Sequence, residues 1–271
     1  MNPVLLRLAP FLFGLLSLAA WELAVRLAGV PIYVLPGPLA ILAAFFADPT
    51  GLLGSLASTL IVTISALFAA ASLGVALALA MSASQLARAA ILPWAVVLQV
   101  TPIVAIAPLV IIWVGDPFAS LVVCATIVAF FPVFANTASG LASAPPELND
   151  LFHLYGASRR DTLLLLRLPA ALPYFLAGLR ISGGLALVGA VVAEFVAGSG
   201  GFASGLAYRI LESGYRLEVP RMFAALVLLS LTGIAINVGL SALDAAILRR
   251  RGETTAQETT AQETTTKESV R

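Results

Sequence analysis

A carboxylate stands out in this sequence because it lies deep in an apolar stretch: Glu194 directly follows Val191, Val192 and Ala193. An ionisable side chain at membrane depth is costly, and it marks a pathway for solute or protons unless a partner compensates its charge. Glu194 is therefore a candidate pathway residue. The competing interpretation is a structural carboxylate near the outer interface, paired with an arginine or with a serine of a second subunit.

Other polar or helix-breaking residues interrupt two further apolar stretches. Gln99 and Thr101 flank Pro102, and Asn136 follows later in the chain. A proline kink at membrane depth usually lies against protein or a polar cavity. We predict that Gln99, Thr101, Pro102, Asn136 and Glu194 contribute to a translocation pathway. For Gln99 and Thr101 the alternative is hydrogen bonding between helices, and for Asn136 packing is favoured over contact with a solute.

Residues for covalent catalysis or metal binding are scarce. The chain has one cysteine, Cys124, and one histidine, His153. Neither matches a metal-ligand spacing or a catalytic constellation, so we predict that Cys124 is a buried small hydrophobe and that His153 belongs to a docking surface on its loop. No Gly-x-x-x-x-Gly-Lys-Ser/Thr phosphate loop occurs in the sequence. We predict no catalytic residue, no metal, no bound cofactor and no ATP hydrolysis by this chain.

The elements that position these residues are predicted to cross a membrane. The chain is 60% hydrophobic and 11% charged, with a mean hydropathy of +1.01, whereas soluble domains carry about 25% charged residues. A spanning helix needs about 20 apolar residues and satisfies its own backbone. The fold class is thus all-α, a polytopic membrane protein with about six spans: Ala9–Ala28, Ser55–Met81, Ile91–Val114, Phe118–Leu141, Leu172–Ala197 and Met222–Ile247. Pro102, Pro108 and Pro132 predict kinks or breaks.

The distribution of arginines predicts the orientation. With both termini in the cytoplasm, nine arginines of the first 251 residues lie inside and four outside; Arg180 is counted inside. Two outer segments, residues 36–50 and 198–220, are predicted to form short interfacial helices. We assign residues 1–250 to one transmembrane domain and residues 251–271, a Glu-Thr-Thr-Ala-Gln repeat, to a disordered tail.

The loop of residues 143–171 has a helical pattern of its own. Pro145 and Pro146 precede Glu147, a favourable helix start, and Gly156 interrupts the apolar stripe that follows. Ser158 is predicted to cap a second helix beginning at Arg159. Pro169 and Pro173 are predicted to end that helix. The loop thus forms two short helices joined at a glycine, able to dock as amphipathic elements in a groove of a soluble partner.

These residues carry a resemblance to a known family. The pattern Asp150-Leu151-Phe152, three residues, Gly156, nine residues, Leu166-Arg167-Leu168-Pro169 resembles the coupling-loop motif of binding-protein-dependent ABC importer permeases. In that motif Glu-Ala-Ala precedes the glycine, so the two alanine positions depart most. The stretches 35–38, 101–105 and 192–194 are similar to the branch that imports nitrate, sulfonates, taurine, bicarbonate and vitamin-precursor heterocycles.

The resemblance implies a division of labour. Two permease copies, as a homodimer in the inner membrane, would form the pathway for a small solute, either a nitrate-, sulfonate- or taurine-like anion or a vitamin-precursor heterocycle. A cytoplasmic ATPase subunit would hydrolyse ATP, and an extracytoplasmic substrate-binding protein would deliver the solute. Nucleic acid is not an expected partner. The residues that would contact the ATPase are Asp150, Leu151, Phe152, Tyr155, Gly156, Ala157, Ser158, Leu168 and Pro169.

Other functions are compatible with a polytopic chain. A secondary transporter or channel working without ATP is expected to have several buried charges or inverted repeats, and here Glu194 is the one clearly intramembrane carboxylate. An intramembrane enzyme needs a catalytic constellation at depth, whereas His153 lies in a loop. An exporter permease of the same superfamily is disfavoured by the coupling motif.

Overall fold

The computed structural model describes residues 3–198 and 204–250, and within these ranges every regular element is a helix. The predicted all-α class is thereby confirmed. The predicted tail, residues 251–271, lies outside the described residues. The elements in chain order are α1 (Pro3–Leu27), α2 (Pro38–Ala47), α3 (Pro49–Ala83), α4 (Gln85–Val100), α5 (Ile103–Val114), α6 (Pro117–Ala142), α7 (Pro146–Leu154), α8 (Arg159–Asp161), a π-helical segment (Thr162–Arg167), α9 (Leu168–Ala197), α10 (Leu206–Tyr215) and α11 (Val219–Arg250).

Most of the predicted spans correspond to long apolar helices. Among the described residues, five helical stretches are long and apolar enough to cross a bilayer: Leu8–Leu27, Pro49–Ala83, Pro117–Ala142, Arg159–Ala197 and Val219–Arg249. Several are longer than predicted; α3 begins at Pro49 rather than at Ser55, because Pro at the first helical position favours a start there. The short helices predicted within residues 36–50 and 198–220 exist as α2 and α10.

The third predicted span, Ile91–Val114, is two helices rather than one. α4 and α5 meet at an angle of 105° across Thr101 and Pro102. Thr101 is extended, with φ −71° and ψ 122°, as expected of a residue whose following proline excludes the helical conformation. Pro108 and Pro132 were also predicted to kink or break their helices. Both lie inside helices that continue through them, so neither proline breaks its helix.

The prediction that Pro169 and Pro173 end the second loop helix is wrong. Helical structure runs without interruption from Arg159 to Ala197. A proline inside an α-helix removes one hydrogen bond and crowds the preceding turn. Here the turn before Pro169 adopts the wider π form, in which the Leu168 N–H donates to Leu163 O, so the helix absorbs the proline and continues.

Contacts divide the chain into two compact units. Among the described residues, the first contains residues 3–61, 194–198 and 204–232, and the second contains residues 62–193 and 233–250. In the first unit, Ile41, Leu52, Leu206, Ala224 and Ala225 form a buried apolar cluster against which Trp21 and Phe223 pack. The cluster joins α2 and α10 to the first turns of α3 and α11.

The second unit packs α6 closely against α9. A Cβ added to Gly178 would lie 2.7 Å from the Pro132 carbonyl oxygen, and one added to Gly189 would lie 2.8 Å from the Ala125 Cα. Between them, the Ser182 hydroxyl donates to the Ala129 carbonyl at 2.6 Å. Small residues allow this approach, and dispersion contacts with interhelical hydrogen bonds hold membrane helices together. Cys124 also lies in this unit, and it is buried, as predicted.

Candidate functional site

The junction between α7 and α8 forms a tight elbow, which we name the Gly156 elbow and define as residues 146–161. Gly156 has φ +69°, and a Cβ there would meet nothing within 4 Å. The glycine is thus required by backbone conformation rather than by space. The Ala157 N–H donates to Phe152 O at 2.9 Å and the Gly156 N–H to His153 O at 3.0 Å, the pair of bonds of a Schellman motif that closes α7.

The next residues start a new helix through a reciprocal cap. The Ser158 hydroxyl accepts from the Asp161 N–H at 3.2 Å, and the Asp161 carboxylate accepts from the Ser158 N–H at 3.2 Å. The capping role predicted for Ser158 is confirmed. Its partner Asp161 was missed, although Ser-x-x-Asp before an apolar run signals this capping box. The two caps satisfy backbone groups at both helix ends, which fixes the angle of the elbow.

The predicted ATPase-contacting residues separate into an exposed and a packed group. Leu151, Leu154 and Tyr155 are 44%, 83% and 82% exposed. The side chains of Asp150 and Ser158 are also exposed, whereas Phe152 and Ala157 are half-buried. Leu168 and Pro169 lie in the first turn of α9 and are half-buried. The elbow therefore exposes an apolar strip, and Leu154 belongs to this strip although it was not among the predicted residues. Leu168 and Pro169, at the end of the motif, are instead part of the spanning helix α9.

Three predicted pathway residues lie at the α4–α5 break in the second unit. Gln99 and Pro102 are exposed, and the Thr101 hydroxyl donates to Val97 O at 2.6 Å within α4. Asn136, a fourth candidate in this unit, donates from Nδ2 to Pro132 O at 2.8 Å. The side chains of Thr101 and Asn136 thus bind carbonyl groups of their own helices.

Glu194 belongs to the first unit and is almost fully buried, with 3% exposure. Its Oε1 accepts from the Thr59 hydroxyl at 2.9 Å, and its Oε2 accepts from the Ala207 N–H at 3.0 Å. Thr59 Oγ1 in turn accepts from the Leu206 N–H at 2.9 Å. The predicted partner was an arginine, or a serine of a second subunit. The observed partners are a threonine and the first turn of α10 in the same chain.

Further polar contacts connect α3 with α10 and with the start of α11. Arg209 donates from Nε to Ser55 Oγ at 2.9 Å, one turn from Thr59 on α3. Arg221 pairs with Asp48, just before α3 begins. We call Asp48, Ser55, Thr59 and their partners the polar ladder. No local pattern in the sequence indicates these contacts, because they join residues up to 173 positions apart.

Arg180, counted above with the cytoplasmic arginines, lies inside the stretch Arg159–Ala197. Its guanidinium is 3.9 Å from the Asp244 carboxylate, and its side chain is 45% exposed. Arg180 also lies inside the predicted span Leu172–Ala197, so it is not a loop residue and carries no weight in the predicted orientation. Its charge is compensated by Asp244.

Comparison with known proteins identifies a family of membrane transport proteins. Residues 70–251 match the family described as binding-protein-dependent transport system inner membrane component. A probable ABC transporter permease protein of Haemophilus influenzae is 36% identical over 82% of this chain and 89% of its own length. The formylaminopyrimidine transport permease protein ThiX of Halalkalibacterium halodurans is 33% identical over 89% and 95%. The riboflavin transport system permease protein RibX of Chloroflexus aurantiacus is 31% identical over 87% of each chain.

Solved structures show the same fold. An amino acid ABC transporter chain superposes with a TM-score of 0.61 at 18% identity, over 76% of this chain and 96% of its own. A chain of the MetNI methionine ABC transporter in an inward-facing conformation gives 0.57 at 20% identity, over 73% and 94%. With its spanning helices, its elbow motif and its relatives, this chain belongs to the binding-protein-dependent transport system inner membrane component family and is the membrane-spanning permease subunit of an ABC importer.

Proposed function

We propose that the Gly156 elbow receives the motion of a separate cytoplasmic ATPase and passes it to the spanning helices. The observation that carries the proposal is the unbroken helix from Arg159 to Ala197, because the last three residues of the elbow form the first turn of that helix. A force applied to the exposed Leu151, Leu154 and Tyr155 reaches that helix through two capped, hydrogen-bonded turns. Such a connection suits a two-state transition driven by rigid elements.

The proposal assigns the remaining roles to partners. An ATPase subunit hydrolyses the nucleotide, consistent with the lack of a phosphate-loop motif in this sequence. A substrate-binding protein delivers the solute, and a second copy of this chain completes the pathway. Both termini lie in the cytoplasm, which places the elbow on the side of the ATPase. Residues 1–250 act as one transmembrane domain, and the tail of residues 251–271 has no assigned role.

The coupling role is tested by a pair of matched glycine variants. Gly156 and Gly115 have φ +69° and +71°, and neither has an atom within 4 Å of an added Cβ. Alanine at either site therefore costs a similar backbone strain, about 1–2 kcal/mol. The measurement is ATP-driven uptake and ATPase activity of the complex in proteoliposomes with its substrate-binding protein. We expect Gly156→Ala to lower uptake per ATP hydrolysed by about five- to thirtyfold, the factor that corresponds to this strain energy. We expect Gly115→Ala to lower the uptake rate and the ATPase rate together, so that uptake per ATP is unchanged.

Two results would contradict the coupling role. One is equal uptake per ATP in both variants. The other is uptake by the wild-type complex in vesicles that contain no nucleotide, which would favour an ATP-independent transporter.

The relatives favour a heterocyclic solute of the vitamin or vitamin-precursor class. Two relatives that match almost the whole chain are named as permeases for formylaminopyrimidine and riboflavin. Arg180 favours a second candidate, a small oxyanion, because a guanidinium in a spanning helix has donors suited to it. The contact with Asp244 compensates that charge, so the heterocycle is the first choice.

The two solute classes are separated by ligand binding to the partner protein. The substrate-binding protein that stimulates the ATPase activity of this complex is screened by thermal shift with formylaminopyrimidine, riboflavin, nitrate, taurine and an alkyl sulfonate. A shift with a heterocycle, together with uptake of the same compound, supports the first class. A shift with an anion alone replaces it with the second.

A further inference from the structure

The Glu194 carboxylate is occupied by donors from its own chain. Its two oxygens accept from the Thr59 hydroxyl and the Ala207 N–H, and the residue is 3% exposed. A group that contacts solute needs access to it and a free acceptor. Glu194 instead has the surroundings of a buried carboxylate whose hydrogen bonds are satisfied internally.

The donors come from the N-terminus of α10, where the first backbone N–H groups have no partner within the helix. Gly205 is the N-cap residue of this ten-residue helix, and glycine has no side chain with which to cap it. Thr59 accepts the Leu206 N–H and Glu194 accepts the Ala207 N–H. Together they accept the hydrogen bonds that a capping side chain would accept, and the carboxyl group of Glu194 lies at the end of α10 where the helix dipole is positive.

The glycine at the cap is part of the same arrangement. A Cβ placed on Gly205 would overlap the carboxylate group of Glu194. Any other residue type at position 205 would therefore prevent the carboxylate from coming this close to the backbone of α10. Glycine removes the local capping side chain and at the same time makes room for a cap supplied by α9.

The contacts also close the chain between α9 and α10. Glu194 and Ala207 are 13 positions apart in sequence, while Thr59 adds a third helix to the junction. One turn along α10, Arg209 donates to Ser55, one turn earlier on α3. Thr59 and Ser55 therefore hold α10 antiparallel to the first half of α3.

We propose that Glu194 is a positioning residue: with Thr59 and Gly205 it forms an internal cap that seats α10 on α3 and on the last turn of α9, and it does not bind the transported solute. The assignment goes beyond the coupling role of the elbow, and it concerns the other unit of the chain. Transport requires that α10 is held in this position, because α10 lies in the segment that connects α9 with α11.

The first test compares two buried threonines of the same unit. Thr59→Val removes the hydroxyl that joins α3, α9 and α10. The matched control is Thr232→Val, because Thr232 is 7% exposed and its hydroxyl donates to Leu228 of its own helix. Amide hydrogen exchange of a peptide covering residues 206–215 is measured on the assembled complex in nanodiscs. We expect exchange in Thr59→Val to rise about fivefold or more, the effect of losing a helix cap, and to be unchanged in Thr232→Val and restored in Thr59→Ser.

The second test separates a cap from a solute ligand at position 194. Glu194→Met keeps the length of the side chain and removes both acceptors, whereas Glu194→Gln keeps one acceptor for the Ala207 N–H. If Glu194 acts as a cap, Glu194→Gln preserves more protection of α10 from amide hydrogen exchange than Glu194→Met does. A cap also predicts that both variants lower the maximal uptake rate and leave the KM for solute unchanged. A charged contact with solute predicts equal defects in Gln and Met, with a raised KM.

The proposal is overturned if Glu194→Gln raises the KM or alters solute selectivity while exchange in α10 stays at the wild-type level. It is overturned equally if Thr59→Val changes neither exchange nor uptake. The threonine series decides the question even if the variants at position 194 fail to assemble. Loss of coupling at Gly156 has a different signature, a lowered ratio of uptake to ATP hydrolysis with normal exchange in α10.

Discussion

Glu212 in α10 forms ion pairs with Arg209 of the same helix and with Arg216, the residue directly after that helix. Its Oε2 lies 2.8 Å from Arg209 Nη1, and its Oε1 lies 2.9 Å from Arg216 Nη2. The hydrogen bond from Arg209 lowers the pKa of Glu212 below its ordinary value of 4.5, and the charges of both arginines lower it further against a desolvation effect. Because Arg209 also donates to Ser55, Glu212 helps to orient the arginine that joins α10 to α3.

The lowered pKa of Glu212 has a defined pH dependence. A group whose pKa is depressed by folding contributes stability above its unfolded pKa, and that contribution is lost as the pH falls through the folded pKa. We expect Glu212→Gln to increase exchange in α10 at pH 6, and we expect the difference from wild type to decrease as the pH falls below 4.5, because the Glu212 carboxylate is then protonated as the pH passes its lowered pKa. The measurement is amide hydrogen exchange of α10, corrected for the intrinsic pH dependence of the exchange rate. A difference that does not change with pH would contradict the ion-pair origin.

At the scale of the element, the π-helical segment joins the Gly156 elbow to α9. A π turn accommodates one extra residue, and one residue corresponds to about 100° of rotation in an α-helix. The direction in which Leu151, Leu154 and Tyr155 project is therefore set by the turn before Pro169. The proline accounts for this turn, since it cannot donate the hydrogen bond of an α-helical register.

Replacing Pro169 by alanine supplies the missing N–H and permits the α-helical register. We expect Pro169→Ala to retain the helical content, and to lower uptake per ATP because the elbow is rotated relative to its span. Circular dichroism and uptake in proteoliposomes measure the two effects. Pro108→Ala is the control, since Pro108 lies inside α5 away from the elbow. Normal uptake in Pro169→Ala would show that the π turn does not set the orientation of the elbow.

At the scale of the whole molecule, one chain leaves large apolar side chains uncovered. Trp94, Ile112 and Trp113 on the bent pair α4–α5 are 71%, 73% and 77% exposed. Lipid covers such residues in a spanning protein, and a second copy of the chain covers part of them in the proposed homodimer. Native mass spectrometry of the complex with its ATPase is expected to give two copies of this chain. A complex containing a single permease chain, or two different ones, would contradict the homodimer.

The class of the molecule and the local features of the elbow follow from short stretches of residues. Apolar stretches of spanning length predict helices because a bilayer leaves the backbone no other partner. Gly156 and Ser158 were identified correctly because helix caps are made by neighbouring residues. The break at Pro102 was predicted for the same local reason.

The pairing of polar groups and the outcome at each proline depend instead on packing between distant segments. Glu194 meets Thr59 across 135 residues and Arg221 meets Asp48 across 173, and no local pattern encodes such pairs. Pro169 and Pro173 carry strong local stop signals, yet a π turn and the packing of the span keep the helix continuous. Capping and propensity act over a few residues and are legible in sequence. Long-range hydrogen bonds and helix register depend on the free energy of the packed fold, which no short segment contains.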